Sequence, residues 1–207
     1  METLLQIKTS IFSGNGASSR LTDQFVSDWQ AQHPRGRVTV RDLAAAPIPH
    51  LTAERFLGFS STEPRTAEQD AALALSDELI AELSQADVIV IGLPLYNFGV
   101  PSTLKAYFDH IARAGVTFKF SSQGAVGQLL GKRVIVVATR GGIYAGTPND
   151  TQTAFVRDFL GFLGMTDVEF IYAEGLSMSA HKEQGLSSAA TALNRLAAPV
   201  PPAALVA

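Results

Sequence analysis

The segment Asp87-Val88-Ile89-Val90-Ile91-Gly92 decides the fold class of this chain. After its first residue it is uncharged and β-branched, and Gly92 and Pro94 end it, which is typical of a strand buried on both faces of a sheet. Strands of this kind belong to parallel sheets whose faces are covered by helices. The segment therefore predicts an α/β protein with this strand at the centre of its sheet.

On both sides of this strand, apolar runs alternate with segments of helical period, as such a sheet requires. Further strands are predicted over residues 4–7, 38–40, 134–138 and 168–172, and the run 38–40 has charged neighbours, so we expect it at an edge. In this doubly wound arrangement, ligands bind beyond the carboxyl ends of the strands. Helices are predicted from residue 18 or 19 to 33, around Leu75, Leu79 and Leu83, over about 102–113, around Phe155, Phe159 and Phe162, and around Leu186, Leu193 and Leu196.

The composition indicates a soluble globular protein. The 207 residues are 46% hydrophobic and 17% charged, and a single core can reach this size; we assign residues 1–198 to one domain and 199–207 to a flexible tail. A net charge of −3 without a basic patch argues against a nucleic-acid partner. The absence of cysteine excludes disulfides, thiolate catalysis and cysteine-ligated metals. Without a signal peptide or an apolar run of roughly 18 residues, we expect a cytoplasmic protein that does not span a membrane.

The loop after the first predicted strand is rich in hydroxyl and small side chains, and it leads into a helix. Backbone N–H groups at the N-terminus of a helix bind anions. A phosphate monoester would be held here by Ser10, by the backbone of Gly16 and Ala17, and by Ser18. The alternative is an ordinary turn in which Ser18 or Ser19 caps the helix.

The loop after the central strand contains Tyr96-Asn97-Phe98, two aromatic side chains around an amide, between two prolines. Such a set suits a planar heteroaromatic ring, because the backbone and Asn97 can bond its polar edge while neighbouring side chains cover its face. The alternative is that Tyr96 and Phe98 cap the hydrophobic core. The position of the loop, at the carboxyl end of the most buried strand, favours the ligand.

The loop after the next core strand is Thr139-Arg140-Gly141-Gly142-Ile143-Tyr144. Consecutive glycines let a backbone approach a ligand closely, and their N–H groups can stabilise negative charge on a reduced ring, as in an oxyanion hole. The alternative is a flexible turn whose Arg140 is solvated or salt-bridged. Together the three loops would hold one phosphate, one flat ring and one closely packed ring edge, which is what flavin mononucleotide (FMN) requires.

On these residues the chain resembles the bacterial family of FMN-dependent NADH:quinone oxidoreductases and NADH-azoreductases. The resemblance extends from about Leu4 to Gly175. It is most specific at Tyr96-Asn97-Phe98, at residues 112–118, at Arg140-Gly141-Gly142 and at residues 159–162, and residues 40–43 and 47–49 also match. It implies a flavodoxin-like three-layer sandwich with a five-stranded parallel sheet in the order 2-1-3-4-5.

The resemblance also implies roles for individual residues. Ser10 and the segment Gly16-Ala17-Ser18 would bind the FMN phosphate. Family members are homodimers with two active sites at the subunit interface, where Phe118 and Phe120 of an interface hairpin, Phe162 and Tyr144 would meet small aromatic acceptors. The flavin ring would lie against two loops, made of Pro94, Leu95, Tyr96, Asn97 and Phe98 and of Thr139, Arg140, Gly141 and Gly142.

The chain departs from the family pattern at four places. Gly16-Ala17-Ser18 stands where Ser-x-Ser is common, Leu95 stands for Met, and Thr139 stands for Ser. Tyr144 replaces a residue that is often His, so the acceptor preference is expected to differ. None of these departures changes the FMN assignment.

We expect a ping-pong reaction in which NADH or NADPH reduces FMN and leaves before a quinone or an azo compound takes its place. A quinone needs one two-electron cycle, and cleavage of an azo bond to two amines needs two. The cofactor carries this chemistry, so no side chain is assigned a catalytic role and no metal site is expected.

Three other functions share the fold. An electron-transfer flavodoxin without NAD(P)H turnover would bind FMN, but it is usually more acidic than this chain. A phosphohydrolase would need a cysteine or an aspartate nucleophile at the end of the first strand, where Lys8-Thr9-Ser10 stands. A response-regulator receiver would need an acidic cluster at the same place.

Overall fold

The computed structural model describes residues 2–198, so the predicted tail at 199–207 lies outside the described residues. The main sheet consists of β1 (Thr3–Lys8), β2 (Arg37–Asp42), β3 (Val88–Pro94), β6 (Arg133–Thr139) and β7 (Asp167–Ala173), while β4 (Phe118–Ser121) and β5 (Gly124–Gly127) form a separate antiparallel hairpin. The five main strands are parallel and lie in the order β2-β1-β3-β6-β7. Without the hairpin strands this is the predicted order 2-1-3-4-5, and the flavodoxin-like fold is confirmed.

The helices are α1 (Ala17–Gln32), α2 (Ala53–Gly58), α3 (Ala67–Gln85), α4 (Ser102–Ile111), α5 (Thr153–Phe162) and α6 (Lys182–Ala197). Helices α1 and α6 cover one face of the sheet, and α3, α4 and α5 cover the other, which makes the three predicted layers. The predicted apolar face of α1 is confirmed, since Leu21, Phe25 and Trp29 are buried against the sheet. Among residues 2–198, no helix combines the length and the hydropathy that a lipid bilayer would require of it.

Strand β3 lies at the centre of the sheet, and each of its seven residues is buried. In the register of the sheet Lys8 lies opposite Gly92, and Pro94 lies opposite Thr139. The strands β1, β3 and β6 therefore end along one edge, and the three loops singled out in the sequence emerge there side by side. Strand β2 is an edge strand, as its charged neighbours predict.

Three local features differ from the sequence prediction. Helix α1 starts at Ala17, with Gly16 as its N-cap. Helix α4 ends at Ile111, two residues early, because the Thr117 hydroxyl oxygen accepts the Arg113 N–H at 2.9 Å and the chain turns away. Helix α2 was not predicted, since six residues are too few to show a helical period.

Replacement of Ile89 by alanine is expected to destabilise the fold by about 2–5 kcal/mol, because it leaves a cavity inside the central strand. Ile89 is buried, whereas Val40 on the edge strand is exposed. Val40→Ala is therefore the control, with an expected loss below about 1 kcal/mol. Urea unfolding followed by the fluorescence of the single tryptophan, Trp29, measures both. Equal losses in the two variants would contradict the central position of β3.

Candidate functional site

The loop between β1 and α1 is folded around the buried side chain of Ser10. Ser10 Oγ accepts the Phe12 N–H at 3.2 Å and lies 3.3 Å from the Tyr96 hydroxyl. A Cβ on Gly16 would come within 2.1 Å of Ser10 Oγ, so only glycine lets the start of α1 approach this hydroxyl so closely. The fold thus brings Ser10, Gly16 and Tyr96 of the predicted site together.

The N-terminus of α1 has no side-chain cap. Because the N-cap is Gly16, the alternative in which Ser18 or Ser19 caps the helix is wrong. Both serines lie inside the first turn, and their buried hydroxyl groups have no partner among residues 2–198. An unpaired buried polar group costs about 1–3 kcal/mol. An anion at this end of the helix would interact with the positive end of the helix dipole, and a hydroxyl group that turned toward it would gain a partner.

The backbone at this helix end offers donors beyond Gly16. The Gly16 N–H already donates to Ser13 O at 3.3 Å, and the first intrahelical bond runs from the Arg20 N–H to Gly16 O. The N–H groups of the three residues between them belong to the first turn, which has no acceptor inside its own helix. The prediction that the Gly16 backbone donates to the phosphate is therefore corrected, because its N–H is already bonded, and Gly16 contributes by its close approach to Ser10. The predicted donor at Ala17 remains, and the Ser18 N–H adds a second one.

Asp42, at the end of β2, holds the outer side of the same loop. It accepts a hydrogen bond from Ser13 Oγ at 2.5 Å and from the N–H groups of Ala44 and Ala45 at 2.9 and 3.2 Å. Partial burial disfavours the ionised form, but these hydrogen bonds outweigh it and hold the pKa of Asp42 below its ordinary value. A carboxylate therefore anchors the loop at neutral pH.

The loop after β3 is a tight turn of residues 96–99. The N–H of each end residue donates to the carbonyl of the other, at 3.3 Å from Tyr96 and 2.9 Å from Gly99. The central residues Asn97 and Phe98 have φ values of 49° and 58°, a left-handed conformation that costs non-glycine residues about 1–3 kcal/mol each. Phe98 is 55% exposed, so the alternative in which it caps the core is wrong.

A cleft of about 580 Å³ opens beside this turn. Its volume is typical of sites that hold a cofactor-sized ligand. Its walls are apolar and polar in similar measure, with aliphatic side chains beside a phenol, an amide and a hydroxyl group, which suits a flat ring that has a polar edge. The lining residues are Ile11 from the first loop and Leu95, Tyr96, Asn97, Val100, Pro101 and Ser102 from the second.

The loop after β6 adjoins the 96–99 turn. The Leu95 N–H donates to Thr139 O at 2.9 Å, and the rings of Phe98 and Tyr144 meet edge to face with centroids 5.7 Å apart. Tyr144 therefore lies beside the loop residues that were predicted to hold the flavin ring, within the same subunit.

The two glycines of this loop make room for side chains of the protein itself. A Cβ on Gly141 would come within 2.7 Å of Ser177 Oγ, and one on Gly142 within 2.7 Å of the Tyr144 ring. Their carbonyl oxygens accept the N–H groups of Ser177 and Gly175 at 3.0 and 2.9 Å. These contacts alone explain why both positions are glycine, so the predicted close approach of a ligand is not needed to explain the pair.

The Arg140 side chain points into the protein. Its guanidinium is fully buried, with Nη2 2.7 Å from Asp150 Oδ1 and Nη1 3.2 Å from Glu174 Oε1. The same oxygen of Glu174 accepts the Tyr144 N–H at 2.7 Å. The alternative of a salt-bridged Arg140 is therefore confirmed. Its backbone is also bonded inside the protein, since its N–H donates to Ala173 O at 2.9 Å and its carbonyl accepts the Leu176 N–H at 3.1 Å. The expectation that the whole residue holds the ring is corrected, because two carboxylates bind the guanidinium inside the protein.

The other predicted pocket residues lie elsewhere in this chain. Phe118, Phe120 and Phe162 form a cluster where the β4–β5 hairpin meets the end of α5. The ring centroid of Phe118 lies 5.4 Å from that of Phe120 and 4.4 Å from that of Phe162. Phe162 lies nine residues after Thr153 at the start of the helix, which is about 14 Å. Phe118 is buried in the core, which corrects the expectation that it faces a pocket, while Phe120 is 79% exposed and Phe162 36%.

Four polar residues near the site were not predicted: Asp150, Thr151, Gln152 and Glu174. They bond to the two ring-side loops from the segment before α5 and from the end of β7. Only Asp150 has a sequence signal, because it precedes Thr153 by three residues and accepts its N–H at 3.1 Å, as a helix cap does. The other three are polar loop residues without a pattern.

Asp150→Asn is expected to destabilise the protein by about 3 kcal/mol at pH 7, because it leaves a buried guanidinium short of one carboxylate. Burial disfavours ionisation of Asp150, but hydrogen bonds from Arg140 and Thr153 outweigh it and hold its pKa below the ordinary value. A lowered native pKa adds stability that is present above the unfolded value of about 3.9 and is lost as the pH falls through the native value. The difference in free energy of unfolding between the wild-type protein and the variant should therefore shrink from about pH 5 downward, as measured by urea unfolding.

The control is Asp109→Asn, which removes an exposed pair with Lys105 on α4. It should cost less than about 0.5 kcal/mol at any pH. A deficit of Asp150→Asn that stays constant down to pH 2 would show that the carboxylate is not ionised in the native protein.

Comparison with known proteins agrees with this geometry. Residues 2–196 match a family with a flavodoxin-like fold. The chain is 56% identical over 190 residues to the FMN-dependent NADH:quinone oxidoreductase of Cellvibrio japonicus (strain Ueda107), covering 91% of this chain and 95% of the relative. It is 51% identical over 192 residues to the protein of the same name from Alcanivorax borkumensis, covering 92% and 97%.

Among solved structures, the azoreductase from Bacillus anthracis str. Sterne superimposes with a TM-score of 0.88 at 26% identity. The match covers 95% of this chain and 99% of the azoreductase. The likeness thus extends over sequence and fold, across nearly the whole of each protein. The chain belongs to the flavodoxin-like fold family and, within it, to the family of FMN-dependent NADH:quinone oxidoreductases.

Proposed function

We propose that this protein is an FMN-dependent oxidoreductase that uses NADH or NADPH to reduce quinones to hydroquinones and to cleave aromatic azo bonds to amines. The proposal rests on two features that meet at one sheet edge: an uncapped helix N-terminus with two unpaired buried hydroxyl groups, and a cleft lined by aliphatic side chains, a phenol and an amide. The relatives from Cellvibrio and Alcanivorax are named for NADH:quinone oxidoreductase activity. The electron-transfer alternative is not favoured, because these relatives are enzymes.

The residues present fit a bound FMN at its phosphate end. Ser10, Ser18 and the N–H groups of Ala17 and Ser18 would hold the phosphate, and Ser19 adds a second unpaired hydroxyl. No Lys or Arg lies between Thr9 and Ser19. The helix dipole and these donors would therefore neutralise the phosphate charge.

The residues also fit at the ring end. The ring would occupy the cleft beside Leu95 and Tyr96, with the Asn97 amide at its polar edge. The N–H groups of Gly141 and Gly142 would face the same edge. The carbonyl groups of the same two peptides, those of Arg140 and Gly141, accept hydrogen bonds inside the protein, and a trans peptide points its N–H the opposite way. Such donors favour negative charge on the ring.

When bound, FMN would supply the transfer of two electrons from the nicotinamide cofactor to the acceptor. The chain's own residues would bind and orient the two reactants in turn and shield the ring from water. No side-chain nucleophile or base is assigned, and protons would come from water.

We further propose a homodimer whose two active sites lie at the subunit interface. The proposal is supported by the exposed apolar side chains of the hairpin region, since contiguous patches of this kind mark association surfaces; they are Val116, Phe120, Val126, Leu130 and Phe162. Because Phe120 and Phe162 lie at the far end of α5 from the ring-side loops, they would meet an acceptor in the site of the partner subunit. We also propose that the enzyme acts in the cytoplasm, where NADH is supplied.

Protein reconstituted with FMN should oxidise NADH in the presence of benzoquinone with a kcat of about 1–1,000 s⁻¹. Because the donor leaves before the acceptor binds, double-reciprocal plots at several quinone concentrations should give parallel lines. Protein stripped of FMN is the control and should regain activity when FMN is added back. Intersecting lines would contradict the ping-pong order, and a loaded protein without turnover would favour the electron carrier.

Phe120→Ser should shift the protein from dimer to monomer at micromolar concentration, because it removes the most exposed aromatic side chain of the proposed interface. The KM for quinone should rise in parallel. Light scattering coupled to gel filtration measures the mass. Val40→Ser, an exposed apolar position on the edge strand β2, is the control and should leave the mass unchanged. A wild-type protein that is monomeric at all concentrations would overturn the dimer.

A further inference from the structure

A buried glutamine just before α5 is bonded to the turn that faces the cleft. The Gln152 side chain is fully buried, and its Nε2 donates to Pro94 O at 2.9 Å and to Gly99 O at 3.0 Å. Pro94 ends β3, and Gly99 closes the turn of residues 96–99. One amide group therefore ties the two ends of the loop that carries Asn97 and Phe98.

The neighbouring residues extend this attachment to the third loop. Thr151 Oγ1 donates to Phe98 O, the carbonyl at the tip of the turn. Asp150 Oδ1 accepts from Arg140 Nη2 at 2.7 Å. The segment 150–152 thus links the loop after β3 to the loop after β6, and both loops border the place proposed for the ring.

Two observations indicate that this attachment serves the turn. Asn97 and Phe98 are held in the left-handed region, and such residues persist only where their surroundings over-determine the backbone. In addition, Gln152 Oε1 is buried without a partner among residues 2–198. A half-satisfied amide is costly, but an apolar side chain of the same size would leave the carbonyl oxygens of Pro94 and Gly99 without this donor. The Nε2 group therefore has a function that outweighs its burial.

We propose that Gln152 is a positioning residue for the flavin ring: its two donated hydrogen bonds set the geometry of the 96–99 turn and so hold Asn97 at the ring edge. The inference rests on the proposed FMN binding. Gln152 acts through the turn and does not itself touch the ring. Binding of the ring should therefore depend on it, and binding of the phosphate should not.

Gln152→Met tests this proposal, since it keeps the length of the side chain and removes both donors. Gln6→Met is the matched control: Gln6 is also buried and donates two hydrogen bonds, to Thr22 Oγ1 at 3.0 Å and Asp23 Oδ1 at 2.7 Å, but these join β1 to α1. Gly16→Ala serves as the phosphate-side variant, because its Cβ would collide with Ser10 Oγ. The probes are FMN and riboflavin, which share the ring and differ by the phosphate.

Gln152→Met should lose about tenfold in affinity for both FMN and riboflavin, as expected for two lost hydrogen bonds. The visible absorption of the bound flavin should shift, which a change in overall stability alone would not cause. Gln6→Met should lower the melting temperature comparably and keep riboflavin affinity within about twofold. Gly16→Ala should weaken the binding of FMN and leave the affinity for riboflavin unchanged.

The proposal is overturned if Gln152→Met binds both flavins with wild-type affinity and spectrum while its melting temperature falls. If Gln152→Met does not fold, Thr151→Val tests the same attachment at Phe98 O; about a threefold loss for riboflavin is expected, and unchanged affinity would overturn the proposal. A wild-type protein that takes up neither flavin would instead defeat the proposed function, and the inference with it.

Discussion

The ring side of the site depends on the buried guanidinium of Arg140. Its two ion pairs lead to different segments: Asp150 begins the segment that attaches to the turn after β3, and Glu174 accepts backbone N–H groups of the loop after β6. A buried charge is tolerated only when it is paired and hydrogen-bonded. The two loops are therefore coupled, since displacing either carboxylate would leave the buried guanidinium short of one partner.

The phosphate side is built on a different principle. It uses short side chains, a helix end and Gly16, with Asp42 fixing the outer wall through Ser13. Its donors are backbone N–H groups of the first helical turn and serine hydroxyl groups, and Lys8, the nearest lysine in sequence, is paired with Asp23 at 2.6 Å. The sheet register alone brings this end beside the ring side, because β1 and β3 are adjacent and end at the same edge. A cofactor with a phosphate at one end and a ring at the other matches this division.

The fold was predictable because it follows from the order of the apolar runs, above all the uninterrupted β3, and the three loops were predictable because parallel strands end together. What could not be predicted depends on contacts between distant parts of the chain. Gln152 bonds to Pro94 across 58 residues, and Arg140 is held by Glu174 across 34. In the sequence, Arg140 beside two glycines resembles a ligand-binding group, and only the structure reveals that two carboxylates already bind it.

In the proposed enzyme, the three loops hold FMN in a form that accepts electrons from NADH and passes them to a quinone. The most direct test is the visible spectrum of the FMN-reconstituted protein under anaerobic conditions, recorded before and after addition of equimolar NADH and again after equimolar benzoquinone. We predict a yellow protein that is bleached by NADH and regains its colour with the quinone. A protein that remains colourless after incubation with FMN, or that stays yellow in the presence of NADH, would contradict this account.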